Sequence, residues 1–345
     1  MPCQPELLPS SETDCDRCMR YNPDKHQKRE RFRLQIWGLS RILRWVFLIV
    51  TVVWLFRNTH SDIPAEQLNA VYAGSDSKFV EVYGMVAHCR IAGTGDPVVL
   101  LHDAQSSLHT WDGWMDTLRP YYKVISVDLP GFGLTGPHPR GSYSAFMYVE
   151  FLDSLAARLG LERFHLVGNG LGAQIAWQYA SEKPQRVSKL VLMNAPGFEE
   201  KSSTMMDYFS STPVINRALW RVTPESGIRI FLEQVYADDA LVTDSLVKRH
   251  QEMLLRPGNR KAYTDRASVK DNRPPVISFI REIRTPTLIV WGAEDAIISP
   301  EHAYQFHQNI PGSALRIYPN TGHWPQEENP ERTASEARAF LEGRF

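Results

Sequence analysis

Cysteine is scarce in this chain, with four in 345 residues. That excludes a disulfide-stapled scaffold. Charge of one sign is also lacking, since 38 Lys and Arg stand against 39 Asp and Glu for a formal net charge of -1. A nucleic-acid binder carries a clear basic excess or patch, and none is evident in this balance. Long apolar runs are missing with one exception, the twelve residues Trp45–Phe56, where Thr51 is the only polar member. What is present is ordinary for a folded globular protein: 43% hydrophobic and 22% charged residues. The length allows two domains or one large α/β domain.

The N-terminal sixth differs from the rest. Residues 1–35 read as a polar tail, 36–56 as a membrane anchor and 57–78 as a polar linker. The apolar stretch from Ile36 to Phe56 is 21 residues long but contains Arg41 and Arg44. A span needs ~20 apolar residues, so crossing requires these arginines to snorkel to one interface. Between Lys25 and Arg44 there are seven Lys or Arg and one acid, Glu30. By the positive-inside bias this predicts a single-pass signal-anchor, with the N-terminus cytoplasmic and the main domain on the non-cytoplasmic side. A cleaved signal peptide fits less well, because the charged segment before the apolar core is far too long. Cys15 and Cys18, with Cys3 and His26 nearby, lack the tight four-ligand spacing of structural zinc and read as free thiols, so no metal is expected.

From residue 79 onward, short β-branched runs alternate with helical stretches. Strands are predicted at 79–83, 85–89, 97–101, 124–128, 164–168, 189–193, 287–291 and 314–318. Near-continuous apolar runs imply strands buried on both faces, and so a mostly parallel sheet flanked by helices. Residues 197–282 break the alternation and read as an inserted helical lid. Met205, Met206, Tyr208 and Phe209 there are either pocket lining or lid core.

Five loops follow strand ends in order. They carry His102-Asp103, Asp128 to Gly133, Gly168-Asn169-Gly170-Leu171-Gly172, Trp291 to Asp295, and Asn320 to His323. This order resembles the α/β-hydrolase family over residues 79–345, closest to its lid-bearing branch of esterases, epoxide hydrolases and carbon–carbon bond hydrolases. The resemblance implies that Asp295 orients His323 as the acid and histidine of a triad. It implies backbone oxyanion donors at Ala104 and Leu171, with His102, Asp103 and Asn169 beside them. The family's elbow is Gly-x-Ser-x-Gly, and here Gly170 stands at the nucleophile position with no side chain to attack a carbonyl. The family's His-Gly is His102-Asp103, which sets a carboxylate where negative charge should develop. Read this way, the chain has two independent defects.

The chain is therefore expected to be of ester or acyl hydrolase ancestry with catalysis lost or strongly reduced. It would then serve as a ligand-binding or interaction module for a small ester-like molecule. The alternative is an active serine-type hydrolase, esterase-like or cleaving C–C bonds, if position 170 is a variant of Ser. A water activated by His323 and filling the space at position 170, or a nucleophile at Ser106 or Ser107, are further routes to activity. Gly168-x-Gly170-x-x-Ala173 also matches a dinucleotide fingerprint. It lies on a middle strand, and the next strand ends at Met193-Asn194 without the acid that binds ribose. No cofactor is expected.

Overall fold

The structure is a computed structural model that describes residues 23–198, 222–269 and 276–345. The chain divides into two units, Met1–Asn58 and Thr59–Phe345. In the first unit one helix, α1, runs over Pro23–Arg57. Among the described residues no helix is long and apolar enough to cross a membrane. This overturns the expected transmembrane signal-anchor, and with it the single-pass membrane localisation and its orientation. The physical reason lies in the composition of α1. Its uninterrupted apolar part, Trp45–Phe56, covers only ~18 Å of a ~30 Å hydrocarbon core, and Arg41, Arg44 and Arg57 bracket it closely. The zinc reading of Cys3, Cys15, Cys18 and His26 falls on residues or side chains outside those described. So do Met205, Met206, Tyr208 and Phe209.

The second unit opens with a short helix, α2 (Ala65–Tyr72), in the segment predicted as linker, where it buries Leu68. All eight predicted strands form. They are β1 (Ser77–Val82), β2 (Met85–Ala92), β3 (Pro97–Leu101), β4 (Lys123–Val127), β5 (Phe164–Asn169), β6 (Val187–Met193), β7 (Thr287–Gly292) and β8 (Ala314–Tyr318). They make one eight-stranded sheet in the order β1-β2-β4-β3-β5-β6-β7-β8. Only the pairings of β2 with β1 and β4 are antiparallel. The interior strands β3, β5 and β7 are buried along almost their whole length. Apolar side chains on both faces explain this, because helices cover both sides of a parallel sheet.

Helices α3 (Asp112–Leu118), α4 (Ala145–Arg158) and α5 (Leu171–Glu182) connect the first strands. Helix α4 starts at a Ser144 cap whose hydroxyl accepts from the Met147 N–H. Between β6 and β7 the described residues form α6 (Glu225–Val235), α7 (Asp244–Leu254), α8 (Asn259–Ala267) and α9 (Val276–Glu282), with no strand of the sheet. The chain ends with α10 (Glu301–Asn309), β8, α11 (Pro325–Glu328) and α12 (Pro330–Leu341).

The strand order reverses direction at β3, whose neighbours are β4 on one side and β5 on the other. Open α/β sheets bind ligands at such a switch point, beyond the carboxyl ends of the strands. Here Leu101 pairs with Gly168 across β3 and β5. Asp103 and Gly170 each lie two residues past that pair, so the register brings them side by side.

Candidate active site

Gly170 makes the turn from β5 into α5 with φ 52° and ψ -117°, a backbone shape that side chains oppose. Its N–H donates to the Met193 carbonyl at the end of β6, at 3.0 Å. Gly172, two residues further, has no room for a side chain either, since a Cβ would lie 2.1 Å from the Leu101 carbonyl oxygen. These two glycines let α5 start directly against β3.

The space beside Gly170 is occupied. A Cβ built on it would fall 1.9 Å from Oδ1 of Asp103. That carboxylate sits at the N-terminus of α5, where Oδ1 accepts the Leu171 N–H at 2.7 Å. Its other oxygen, Oδ2, faces His323 Nε2 at 3.2 Å and accepts the Trp324 indole N–H at 3.3 Å. The two expected defects are therefore one arrangement: the missing side chain at 170 makes room for the carboxylate of 103. The same fact removes two sequence-based ideas. Water cannot fill the space at 170, because Asp103 does. A dinucleotide phosphate cannot use this helix N-terminus, because a carboxylate already holds it.

His323 lies between two carboxylates. Its Nδ1 donates to Asp295 Oδ2 at 2.8 Å. Asp295 is held by the Ile297 and Ile298 N–H groups on Oδ1 and by the Asn194 amide on Oδ2, the last at 2.6 Å. Burial by itself would lower the pKa of the imidazolium. The Asp295 charge, the hydrogen bonds to both carboxylates and the Asp103 charge outweigh it and push the pKa up to about 10. Burial likewise opposes the charge on Asp103. Its hydrogen bond and charge pairing with His323, with the Leu171 and Trp324 donors, hold its carboxyl below the usual range. Both neighbouring carboxylates thus favour the protonated ring.

The neighbouring residues brace this triad. His102 is buried with both ring nitrogens committed: Nδ1 donates to the Asp103 carbonyl at 2.6 Å and Nε2 accepts the Leu129 N–H at 2.9 Å. That pattern makes it a neutral ring that fixes the Asp103 backbone. Asn169 does not face the site. Its amide donates to the His323 carbonyl at 3.0 Å, and its oxygen accepts from Gln326 at 3.1 Å. Ala104 is half-buried against the core. The Ser106 and Ser107 hydroxyls bond within their own loop, to the Ser107 carbonyl and to His109. Asp128 ties loops together further down. It accepts the Leu108 and Leu134 N–H groups and His88 Nδ1, while His88 Nε2 meets Ser77 Oγ at 2.8 Å.

Three contributors escaped the sequence reading. Asn194 directly follows β6 with φ 47° and orients Asp295. Trp324 follows His323 directly and reaches Asp103. His250 of α7 stacks on Trp324 with ring centroids 5.4 Å apart and bonds the Gln105 carbonyl at 3.0 Å. An asparagine at a strand end is the signal that marked Asn194. Nothing local marked His250.

A cavity of about 180 Å³ is lined by Gln105 and His250 and by Ile228, Phe231, Leu254 and Tyr263 among others. Its walls are mainly apolar, with Gln105 donating to the Tyr263 hydroxyl at 2.6 Å. A wider groove of about 740 Å³ lies between Tyr72 and Arg249, and neither hollow includes Asp103, Asp295 or His323 among its lining residues.

Comparison with known proteins agrees with this architecture. The family described as alpha/beta hydrolase fold matches residues 96–330. The chain belongs to the α/β-hydrolase family. It is 31% identical over 255 residues to a 2-hydroxy-6-oxo-2,4-heptadienoate hydrolase of Pseudomonas putida, an alignment covering 71% of this chain and 88% of that protein. It is 26% identical over 290 residues to a 2-hydroxy-6-oxo-6-phenylhexa-2,4-dienoate hydrolase of Comamonas testosteroni, covering 79% and 98%. A solved structure of a meta-cleavage product hydrolase from Pseudomonas fluorescens superimposes with a TM-score of 0.67 at 24% identity. It covers 78% of this chain and 98% of that one.

Proposed function

We propose that this chain is a hydrolase in which His323, oriented by Asp295, moves the protons of the reaction on a small substrate held beneath helices α6 to α8. The observation that carries the proposal is the buried row Asp103–His323–Asp295, with His323 bonded on both ring nitrogens. Loss of function would be expected to leave Nε2 of this histidine without a partner. Instead a charged group from another loop meets it, with its own backbone and indole donors. The named relatives are hydrolases, which favours an active site over a relic.

A serine-type reaction fits this chain less well. A Ser at position 170 and Asp103 compete for one volume. A second reading, binding without turnover, draws on one specific fact: Asp103 Oδ1 already occupies the Leu171 N–H that an acyl oxyanion would need. Helices α6 to α8, whose residues line the cavity, act in either case as the lid over it.

The test is a hydrolysis screen of the purified chain against a short acyl ester, a vinylogous ring-cleavage diketone, a haloalkane and an epoxide, with His323→Ala beside it. Turnover that falls about 10²–10⁴-fold in a folded His323→Ala supports the proposal. Turnover equal in both chains overturns it. Saturable ligand binding with no turnover of any substrate favours the second reading.

A further inference from the structure

We propose that Glu328 is a positioning residue that straps the end of lid helix α6 to the loop carrying His323, so that the lid and the histidine move together. That role rests on the chain being a hydrolase, whereas the coupling itself does not.

The strap starts from the end of a helix. A helix leaves its last carbonyls without partners in its own backbone. The last residue of α6 is Val235, and its carbonyl accepts the N–H of His323 itself at 2.7 Å. The residues on either side of this bond are tied through one side chain. Oε1 of Glu328 accepts the Gly322 N–H at 2.8 Å, and Oε2 accepts the Ala237 N–H, also at 2.8 Å. The two oxygens of a carboxyl group have a fixed separation. Gripping one N–H on each side therefore holds α6 and the histidine loop at one distance.

Gly322 permits so close an approach. A Cβ there would stand 2.3 Å from the Val235 carbonyl oxygen and 2.9 Å from the Ala237 nitrogen. Any side chain would push α6 off the loop. Further links follow the same seam. The Tyr236 hydroxyl donates to Glu327 Oε2 at 2.8 Å. Val235 and Tyr236 pack with Trp324 in one buried cluster that includes Ile228, Leu232 and Val247.

The His323 peptide is thus shared between two bodies. Its carbonyl is held from the core by the Asn169 amide at 3.0 Å, and its N–H from the lid by Val235. Displacing α6 must then tilt this backbone and carry the ring with it. The ring reports such a movement, because its proton is held by carboxylates on two other loops, Asp295 at 2.8 Å and Asp103 at 3.2 Å. The negative end of α6 adds to the hold on a cation there. A ring carried away from these charges loses its proton more easily.

The experiment uses the full chain at rest, with no substrate added. Burial and the Asp295 charge push Glu328 up to about 7 against its backbone donors, so exchange is measured at pH 8.5, where both oxygens accept. Hydrogen–deuterium exchange follows the segments 235–238 and 321–324. NMR of ¹⁵N-histidine follows the His323 ring, whose signal is the one missing from His323→Gln. In Glu328→Ala both segments should exchange about tenfold faster while β5 and β7 stay protected. His323, held up at about 10 in the unmodified chain, should titrate about one pH unit lower or more. Gly322→Ala keeps the carboxyl group and parts the segments by overlap. It should give the same two signals, and it decides the matter if Glu328→Ala does not fold. The proposal is overturned if neither segment loosens, if one loosens without the other, or if both loosen with the His323 titration unchanged. It is also overturned if exchange rises equally throughout the sheet, which marks a general loss of stability. If the coupling is found and no substrate in the hydrolysis screen is turned over, the strap stands and the hydrolase reading fails. If a substrate is turned over and the coupling is absent, the strap fails and the hydrolase reading stands.

Discussion

The Asp103 carboxylate fills the volume that a side chain on residue 170 would need, with its Oδ1 1.9 Å from the Cβ position of Gly170. Each residue looks defective beside its family pattern. Together they form one charged, hydrogen-bonded centre, because β3 and β5 are adjacent and in register.

This coupling predicts non-additive mutations. Gly170→Ser alone should destabilise the chain by about 2–5 kcal/mol, from the positive φ and from the overlap with Asp103. It should not restore ester cleavage. Adding Asp103→Gly should recover part of the stability, since the clash disappears while the backbone strain stays. Urea denaturation of the two single variants and the double variant measures this. Additive losses would refute the coupling.

Stability should peak near neutrality for reasons that lie on opposite sides. His323 has its folded pKa raised to about 10. Its contribution is therefore complete below its unfolded value of about 6.5 and is lost as pH rises toward 10. Burial, the main cause, pushes His250 and His165 down to about 4. Unfolding lets these two rings take up protons, so stability falls as pH drops from about 6.5 toward 4. Urea midpoints across pH should trace this curve, and His323→Gln should flatten the alkaline side. An unchanged alkaline side in that variant would contradict the Asp–His–Asp row.

Asn194 should matter through Asp295. Asn194→Asp keeps the shape but sets a second carboxylate against Asp295, where the amide now donates at 2.6 Å. A loss of about 1–3 kcal/mol is expected, larger at pH 8 than at pH 5. Thermal melts at both values check the magnitude and the sign.

Trp324→Phe should separate the two roles of that ring. Phenylalanine retains the packing with His250 and loses the indole donor to Asp103 Oδ2. Stability should change by about 1 kcal/mol or less, whereas the acid limb of the rate profile should move upward as Asp103 becomes easier to protonate. A profile identical to that of the unmodified chain would show that the indole bond does not tune the carboxylate.

Much was legible in the residue order. Apolar runs located all eight strands, and the last two loops pointed to Asp295 and His323, which do pair. Local pattern served well there because strand burial and strand-end loops are short-range properties. One reading failed where a local signal was judged alone. The apolar stretch of α1 suggested a span, yet its arginines leave too short a core. Asn169, marked by its position, holds the His323 backbone through its side-chain amide.

Chain order was thus enough to specify a parallel sheet, its strand-end loops and a glycine at the sharp turn into α5, because each follows from local periodicity and backbone preference. It could not specify what stands beside that glycine. Leu171 and the Asp103 carboxylate that it holds are 68 residues apart in sequence, and only the pairing of β3 with β5 brings them to 2.7 Å. A carboxylate that looks misplaced along the chain becomes, in the fold, a charged partner of His323. Its chemical role depends on who its neighbours are, and the tertiary structure supplies them.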